Sequence, residues 1–430
     1  MSSRYFEVVL NLRTPAPATT PPTIPLVLIL ALLTAVTPFS VDMYMSAFPA
    51  IAEEFGTSAP MVQLTLTSFL IGLASGQLFI GQLSDRLGRR KPLLAGIVVC
   101  LAASLLCAIS PSIEVLIALR FVQGFAGAAG VVIARAIIAD RTQGARAAQL
   151  FSVMMVIGVL APIIAPVLGG QVVATLGWRA VFVALALLNV LMLLGAYFMA
   201  GESLPAHRRR PAGLKAFGRS AVSVLGNRRF MGYTLTLGCA SGAMFSYISA
   251  SPFVLQNILG MSPRAYSLTF GACALAVAAS GVINARLVRT VAPRALLTGG
   301  ICAMLVITAL QLFNVTVGGV TPWATIALMA CFMGTLGFIY ANATTLAIGE
   351  ARDTAGTGSA VLGFLQYATG AAASPLVGLA GSHSAVPMGV MMFGGAVLAA
   401  AALFGLARGA AKADEPQVLS PVPVGGTTSR

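Results

Sequence analysis

Apolar residues in this chain come in long, nearly unbroken runs, not in the period-two alternation of a half-buried strand. Runs of about 18 or more apolar residues can each cross roughly 30 Å of hydrocarbon as a helix. Twelve such spans are predicted, with approximate limits 24–48, 60–81, 92–111, 114–138, 147–172 and 178–200, then 230–257, 265–286, 294–314, 322–346, 355–380 and 385–407. The fold class expected is therefore an all-α membrane protein of twelve transmembrane helices. It divides into an N-terminal six-helix bundle (24–200), a basic cytoplasmic linker (201–229) and a C-terminal six-helix bundle (230–408). The ends, 1–23 and 409–430, read as disordered cytoplasmic tails. The first is a poor signal peptide, because its short apolar patch holds Glu7 and Arg13.

Composition narrows the class further. The chain is 58% hydrophobic and 9% charged, against roughly 25% charged in soluble domains. Its 26 Lys and Arg against 12 Asp and Glu give a net charge of +14. That excess is not spread evenly. Connections after even-numbered spans carry Arg86, Arg89, Arg90 and Lys91, then Arg141 and Arg146, then Arg286, Arg289 and Arg294, then Arg352. The linker adds Arg208, Arg209, Arg210, Lys215, Arg219, Arg228 and Arg229. This bias places both termini and the linker in the cytoplasm. It accounts for the charge with no nucleic-acid partner, and topology explains the "HRRR" cluster more simply than lipid binding does. The six cysteines, Cys100, Cys107, Cys239, Cys273, Cys302 and Cys331, lie in apolar runs without metal-ligand spacing. With no phosphate-binding loop, no membrane histidine and no Ser/His/Asp set, neither an enzyme nor a cofactor is expected.

The two halves echo each other. "YMSAFP" (44–49) recurs as "YISASP" (247–252), and Gly81, Arg86 and Arg89 recur as Gly281, Arg286 and Arg289 at nearly the same spacing. A duplicated six-helix unit with a binding site between its copies near the midplane is a transporter architecture.

Three motifs sit in the first half. "GQLSDRLGRRKP" (81–92) links the second and third spans, with Gly81 suited to close helix approach and Asp85, Arg86, Gly88, Arg89, Arg90 and Lys91 in a charged turn. It resembles the hallmark loop of the major facilitator superfamily. "RFVQG" (120–124) is similar to that family's second motif through Arg120, Gln123 and Gly124. "GVLAPIIAPVLGG" (158–170) resembles the third, the mark of drug:proton exporters, through Ala165, Pro166, Gly169 and Gly170, with Ala165 in place of a glycine. "DMYMSAFP", "YISASPFVLQ", "LGWRAVF" and the "GES" closing the sixth span resemble the bicyclomycin/chloramphenicol-resistance (Bcr/CflA) branch, in which Ser46 is usually proline. The resemblance implies a monomeric multidrug exporter of the bacterial inner membrane, partnered by a small-molecule substrate, protons and the bilayer. It also implies a cytoplasmic gate in which Asp85 faces the N-terminus of the eleventh span and Arg89 pairs with Asp140. Ala285 replaces Asp85 in the second copy, so that latch is the weaker. An importer of a specific solute and a non-transporting sensor are the alternatives.

Setting aside residues at span ends, in loops and in tails, only Asp42 of the twelve acidic residues falls inside a span, and of the basic residues only Arg120 and Arg135 do. A charge there costs about 2.5–3.5 kcal/mol on insertion scales and marks function. Asp42 lies about 10 Å and Arg120 about 9 Å from the outer surface, at about 1.5 Å per residue. In the family fold the first and fourth spans both line the central cavity, so the two are expected to meet, with Asp42 carrying the proton and Arg120 tuning it. A permanent Asp42–Arg120 salt bridge is the structural alternative. Tyr44, Gln123, Tyr247, Gln256, Tyr340, Asn342, Gln366 and Tyr367 are candidate cavity groups, and Arg135 could line the cavity or snorkel to the interface.

Overall fold

A computed structural model describes residues 24–142, 144–209, 214–351, 354–378 and 384–407. The two tails, 1–23 and 409–430, lie outside the described residues. The helices are α1 (Ile24–Met45), α2 (Phe48–Glu54), α3 (Ala59–Leu87), α4 (Arg90–Ala108), α5 (Ile113–Arg141), α6 (Gly144–Leu176) and α7 (Arg179–Met199). They continue as α8 (Leu214–Gly226), α9 (Arg228–Pro252), α10 (Pro263–Leu287), α11 (Pro293–Thr316), α12 (Pro322–Glu350), α13 (Ala355–Gly378) and α14 (Val386–Gly405). Setting aside the short α2 and α8, twelve long helices carry the twelve expected spans.

Local chemistry sets many of the ends. Proline opens the first turn of α2, α3, α10, α11, α12 and α14, where its missing N–H costs nothing. Asn227 caps α9 by accepting from the N–H groups of Arg229 and Phe230. α3 runs six residues beyond its expected limit because its charged end stays helical outside the apolar zone. It stops at Gly88, whose φ of 91° suits glycine.

Eleven of the long helices are apolar enough to cross a membrane by length and composition. The other, α9, is 25 residues long and richer in Ser, Thr and Tyr, and most of its residues are buried. Two expected spans break near one end. The first stops at Met45 and restarts as α2, and the seventh passes at Phe253 into a π-helical turn ending at Ile258. Within the linker, α8 packs against α9 and α13.

Packing sorts the long helices into two sets. In the first, α5 packs on α1, α3 and α4, while α1 packs on α6 and α7, and α4 on α7. In the second, α9 packs on α12, α13 and α14, α10 and α11 pack on α12, and α11 packs on α14. The main seams between the sets run along α3 against α13 and α6 against α10. Backbone approach within the first set falls at Gly72 and Gly124, where a Cβ would collide with the Phe121 and Phe69 carbonyls. Gly81 does not serve that purpose. A Cβ there would make only an ordinary 3.5 Å contact with Val132.

Candidate functional site

Arg120 is wholly buried in the first bundle. Its Nη1 donates to Gln123 Oε1 at 2.6 Å and its Nη2 to the Ser40 carbonyl at 2.9 Å. The guanidinium carbon lies 4.4 Å from the Phe69 ring centre, 4.7 Å from Tyr44 and 5.8 Å from Phe182. These aromatic faces hold the cation through their quadrupoles. Gln123 in turn donates to Ser104 Oγ at 2.8 Å, and the Tyr44 hydroxyl bonds Thr65 Oγ1 at 2.8 Å. Tyr44 and Gln123, expected in the cavity, are therefore interior groups of the first bundle, enclosing Arg120.

Asp42 does not join this box. No ion pair links it to Arg120 among the described residues. The depth estimate had no information about azimuth. Residues 42 and 44 stand about 200° apart around a helix of 3.6 residues per turn, and Tyr44 faces Arg120. Asp42 is only 6% exposed, and its nearest ionisable surroundings belong to the second bundle. The phenols of Tyr247 on α9 and Tyr266 on α10 both lie within its electrostatic range. Tyr247 stacks on Phe270 with centroids 5.5 Å apart, and its hydroxyl lies in hydrogen-bonding reach of the Cys273 thiol. Tyr266 shares a 3.3 Å bond with Ser251.

The third motif buttresses the same place. Gly169 on α6 packs against the Met43 backbone, where a Cβ would collide with three main-chain atoms. Its neighbour Gly170 faces Ser267 and the Pro263 carbonyl of α10, across the seam. Ala165 and Pro166 are buried one turn below.

A second polar group lies on other faces. Tyr340 accepts from Ser241 Oγ at 2.9 Å and donates to Met244 Sδ at 3.3 Å, with the Gln366 side chain in hydrogen-bonding reach. Tyr367 packs near Phe245, with centroids 6.4 Å apart. Tyr340, Gln366 and Tyr367 are half-buried. Arg135, exposed on α5, lies within electrostatic range of Tyr367 on the other bundle, which places it beside the space between bundles. Asn342 lies elsewhere. It donates to Asn284 Oδ1 at 2.6 Å and so ties α12 to α10.

At the basic end, Arg89 gathers the charged turn. It bonds Asp85 at 2.5 Å, Ser84 at 2.7 Å and Asp140 at 3.0 Å. Ser203 also donates to Asp140 at 3.0 Å. Glu202 accepts from the backbone N–H groups of Arg89 at 2.8 Å, Leu204 at 3.0 Å and Arg90 at 3.3 Å. Partial burial works against this carboxylate's charge, but those N–H donors hold it below the usual glutamate range. Gly88 must be small because a Cβ would strike the Glu202 carboxylate. Arg90 reaches the Tyr197 carbonyl at 2.9 Å, and Arg86 takes no part in these bonds. In the sequence only the "GES" tripeptide marks Glu202 and Ser203, and nothing there assigns them to the gate.

Asp85 bonds Arg89 within its own bundle, and among the described residues it makes no bond to α13. The side-chain hydrogen bonds that cross between bundles, among the described residues, lie toward the opposite end. Gln63 donates to the Ser249 carbonyl at 3.1 Å, Thr67 to Ala371 at 3.1 Å and Gln256 to Ser46 at 3.3 Å. Phe48 and Phe253 add an aromatic contact at 6.1 Å. The bundles are thus pinned together at the end away from the arginines.

Residues 30–375 match the family model described as Major Facilitator Superfamily. The chain is 39% identical over 388 residues to an uncharacterized MFS-type transporter, YdgK, of Bacillus subtilis, covering 89% of this chain and 95% of that one. It is 29% identical over 362 residues to a bicyclomycin resistance protein homolog of Haemophilus influenzae, covering 84% and 91%. In three dimensions it resembles the nucleoside transporter NupG with a TM-score of 0.72 at 11% identity, over 89% of this chain and 98% of that one.

Proposed function

The chain belongs to the Major Facilitator Superfamily, and from that premise we propose that it exports small, largely apolar drugs or metabolites in exchange for protons. The basic face is cytoplasmic and the membrane is the bacterial inner membrane. The bundles 24–200 and 230–408 rock about their seams to expose the space between them to either side. Pinning at the far end corresponds to access from the cytoplasm, where an exporter collects its cargo.

One observation carries the coupling reading. Asp42 is the sole acid inside a span away from its ends, it is buried at the bundle interface, and it has no ion pair among the described residues. A permanent salt bridge would fix its charge, whereas an unpaired carboxylate can take up and release a proton as access alternates. Arg120 acts on it indirectly, as a positioning residue. Its bond to the Ser40 carbonyl holds α1 two residues before Asp42. The relative named for bicyclomycin resistance supports a drug-like substrate class.

The test uses inside-out vesicles with an acid-loaded lumen, challenged with chloramphenicol, bicyclomycin and a lipophilic cation. Substrate-dependent proton release is expected from the parent and is absent in Asp42→Asn. Equal coupling in both would make Asp42 structural. Solute uptake that runs with the proton gradient would instead support an importer.

A further inference from the structure

Between α11 and α12, on the flank away from Asp42, lies an apolar groove of about 440 Å³. Leu296, Gly299 and Ala303 form one wall, and Cys331, Gly334 and Phe338 the other. Its floor is set by small residues, and Gly299 has nothing within 4 Å of where a Cβ would stand. From Ala295 to Ile307 the α11 wall rises about 18 Å at 1.5 Å per residue. That is close to one leaflet of a hydrocarbon core roughly 30 Å thick. The groove opens on the outer surface of a membrane-spanning bundle, so in a bilayer apolar matter must fill it. An empty slot would forfeit dispersion contacts along its whole lining.

What sits at the mouth indicates which molecule fills it. The last turn of α10 carries Arg286 and the turn into α11 carries Arg289, both exposed, and Arg294 immediately precedes the first groove residue, Ala295. Basic residues at a membrane surface attract anionic headgroups. We propose that this groove is a binding site for one acyl chain of an anionic phospholipid from the leaflet on the basic side, with its headgroup against Arg286, Arg289 and Arg294. A neutral lipid would fill the groove but would gain nothing from the positive charge at its mouth. The site is independent of the solute transported.

The test is native mass spectrometry of the full chain purified in mild detergent, with phosphatidylglycerol and phosphatidylethanolamine offered in competition. The parent should retain one phosphatidylglycerol. Gly299→Trp, which fills the slot, should lose it, while Leu398→Trp on the exposed face of α14 should keep it. Size-exclusion profile and melting temperature establish that each variant is folded. Because neither Arg286 nor Arg289 lines the slot, Arg286→Gln with Arg289→Gln should lower the preference for the anionic lipid by roughly tenfold without abolishing lipid binding. Retention of the same lipid by folded Gly299→Trp overturns the proposal, as does equal retention of both lipids by the parent. A dimer that Gly299→Trp dissociates would assign the groove to a second copy of the chain and overturn it too.

Discussion

Arg120 spends its charge inside a box of Tyr44, Phe69 and Phe182, with hydrogen bonds to Gln123 and Ser40. A planar guanidinium fits between rings while its two terminal nitrogens reach different acceptors, and an ammonium cannot reproduce that fork. Arg120→Lys is therefore expected to leave a buried acceptor unpaired, at a cost of about 1–3 kcal/mol. Thermal unfolding in detergent would register the loss as a lowered midpoint. Proton coupling should weaken with it, because α1 is no longer held at Ser40. An unchanged midpoint would show that the box adapts to either cation. Asp42 differs in kind, since its variant should keep the fold and lose coupling. Its isolation was legible in the sequence as a count of charges, but its neighbours were not.

At the scale of elements, α6 presents two adjacent glycines to two different helices. Gly169 packs on α1 inside its own bundle, and Gly170 packs on α10 across the seam. The same substitution should therefore have different consequences at neighbouring positions. Gly169→Ala forces a Cβ into the Met43 backbone, which cannot yield, so stability should fall by about 1–3 kcal/mol. Gly170→Ala presses on a seam that opens and closes during transport. It should slow turnover while the melting temperature changes little, as parallel unfolding and transport assays would show. Equal loss of stability at both sites would argue that the seam is as rigid as the bundle interior. The motif was readable from sequence as small residues near prolines, but the identity of the helix beneath each glycine came only from packing. Gly81 makes the converse point, because its place in a recognised motif suggested a close approach that Gly72 and Gly124 make instead.

For the whole molecule, the relevant balance is between the two ends of the seam. Gln63, Thr67 and Gln256 donate across it at one end, while at the other the bonds of Asp85 and Arg89, among the described residues, stay within one bundle. Removing two donors together, Gln63→Ala with Thr67→Val, should weaken the closed end by about 1–3 kcal/mol at roughly 0.5–1.5 kcal/mol per bond. That corresponds to a population shift of about 5- to 150-fold. A membrane-impermeant thiol reagent applied to the outer face should then label Gln256→Cys, in a cysteine-free background, faster than in the unmodified seam. Unchanged labelling would mean that apolar contacts such as Phe48 on Phe253 hold that end alone.

The sequence by itself determined the class of molecule, the number and approximate limits of the long helices, the family motifs and the rarity of charge within the spans. These follow from one-dimensional quantities. Hydrophobic runs must match a bilayer's thickness, and every charge within one is conspicuous against its cost. Only the tertiary structure decided which way each side chain faces and which helix it meets. Asp42 and Arg120 share a depth but not an azimuth. Gln123 and Tyr44 serve the Arg120 box, Asn342 clamps α10 to α12, and Glu202 closes over Gly88. Rotation about a helix axis and the choice of neighbour arise from packing between segments far apart in the chain, and no count along it contains them.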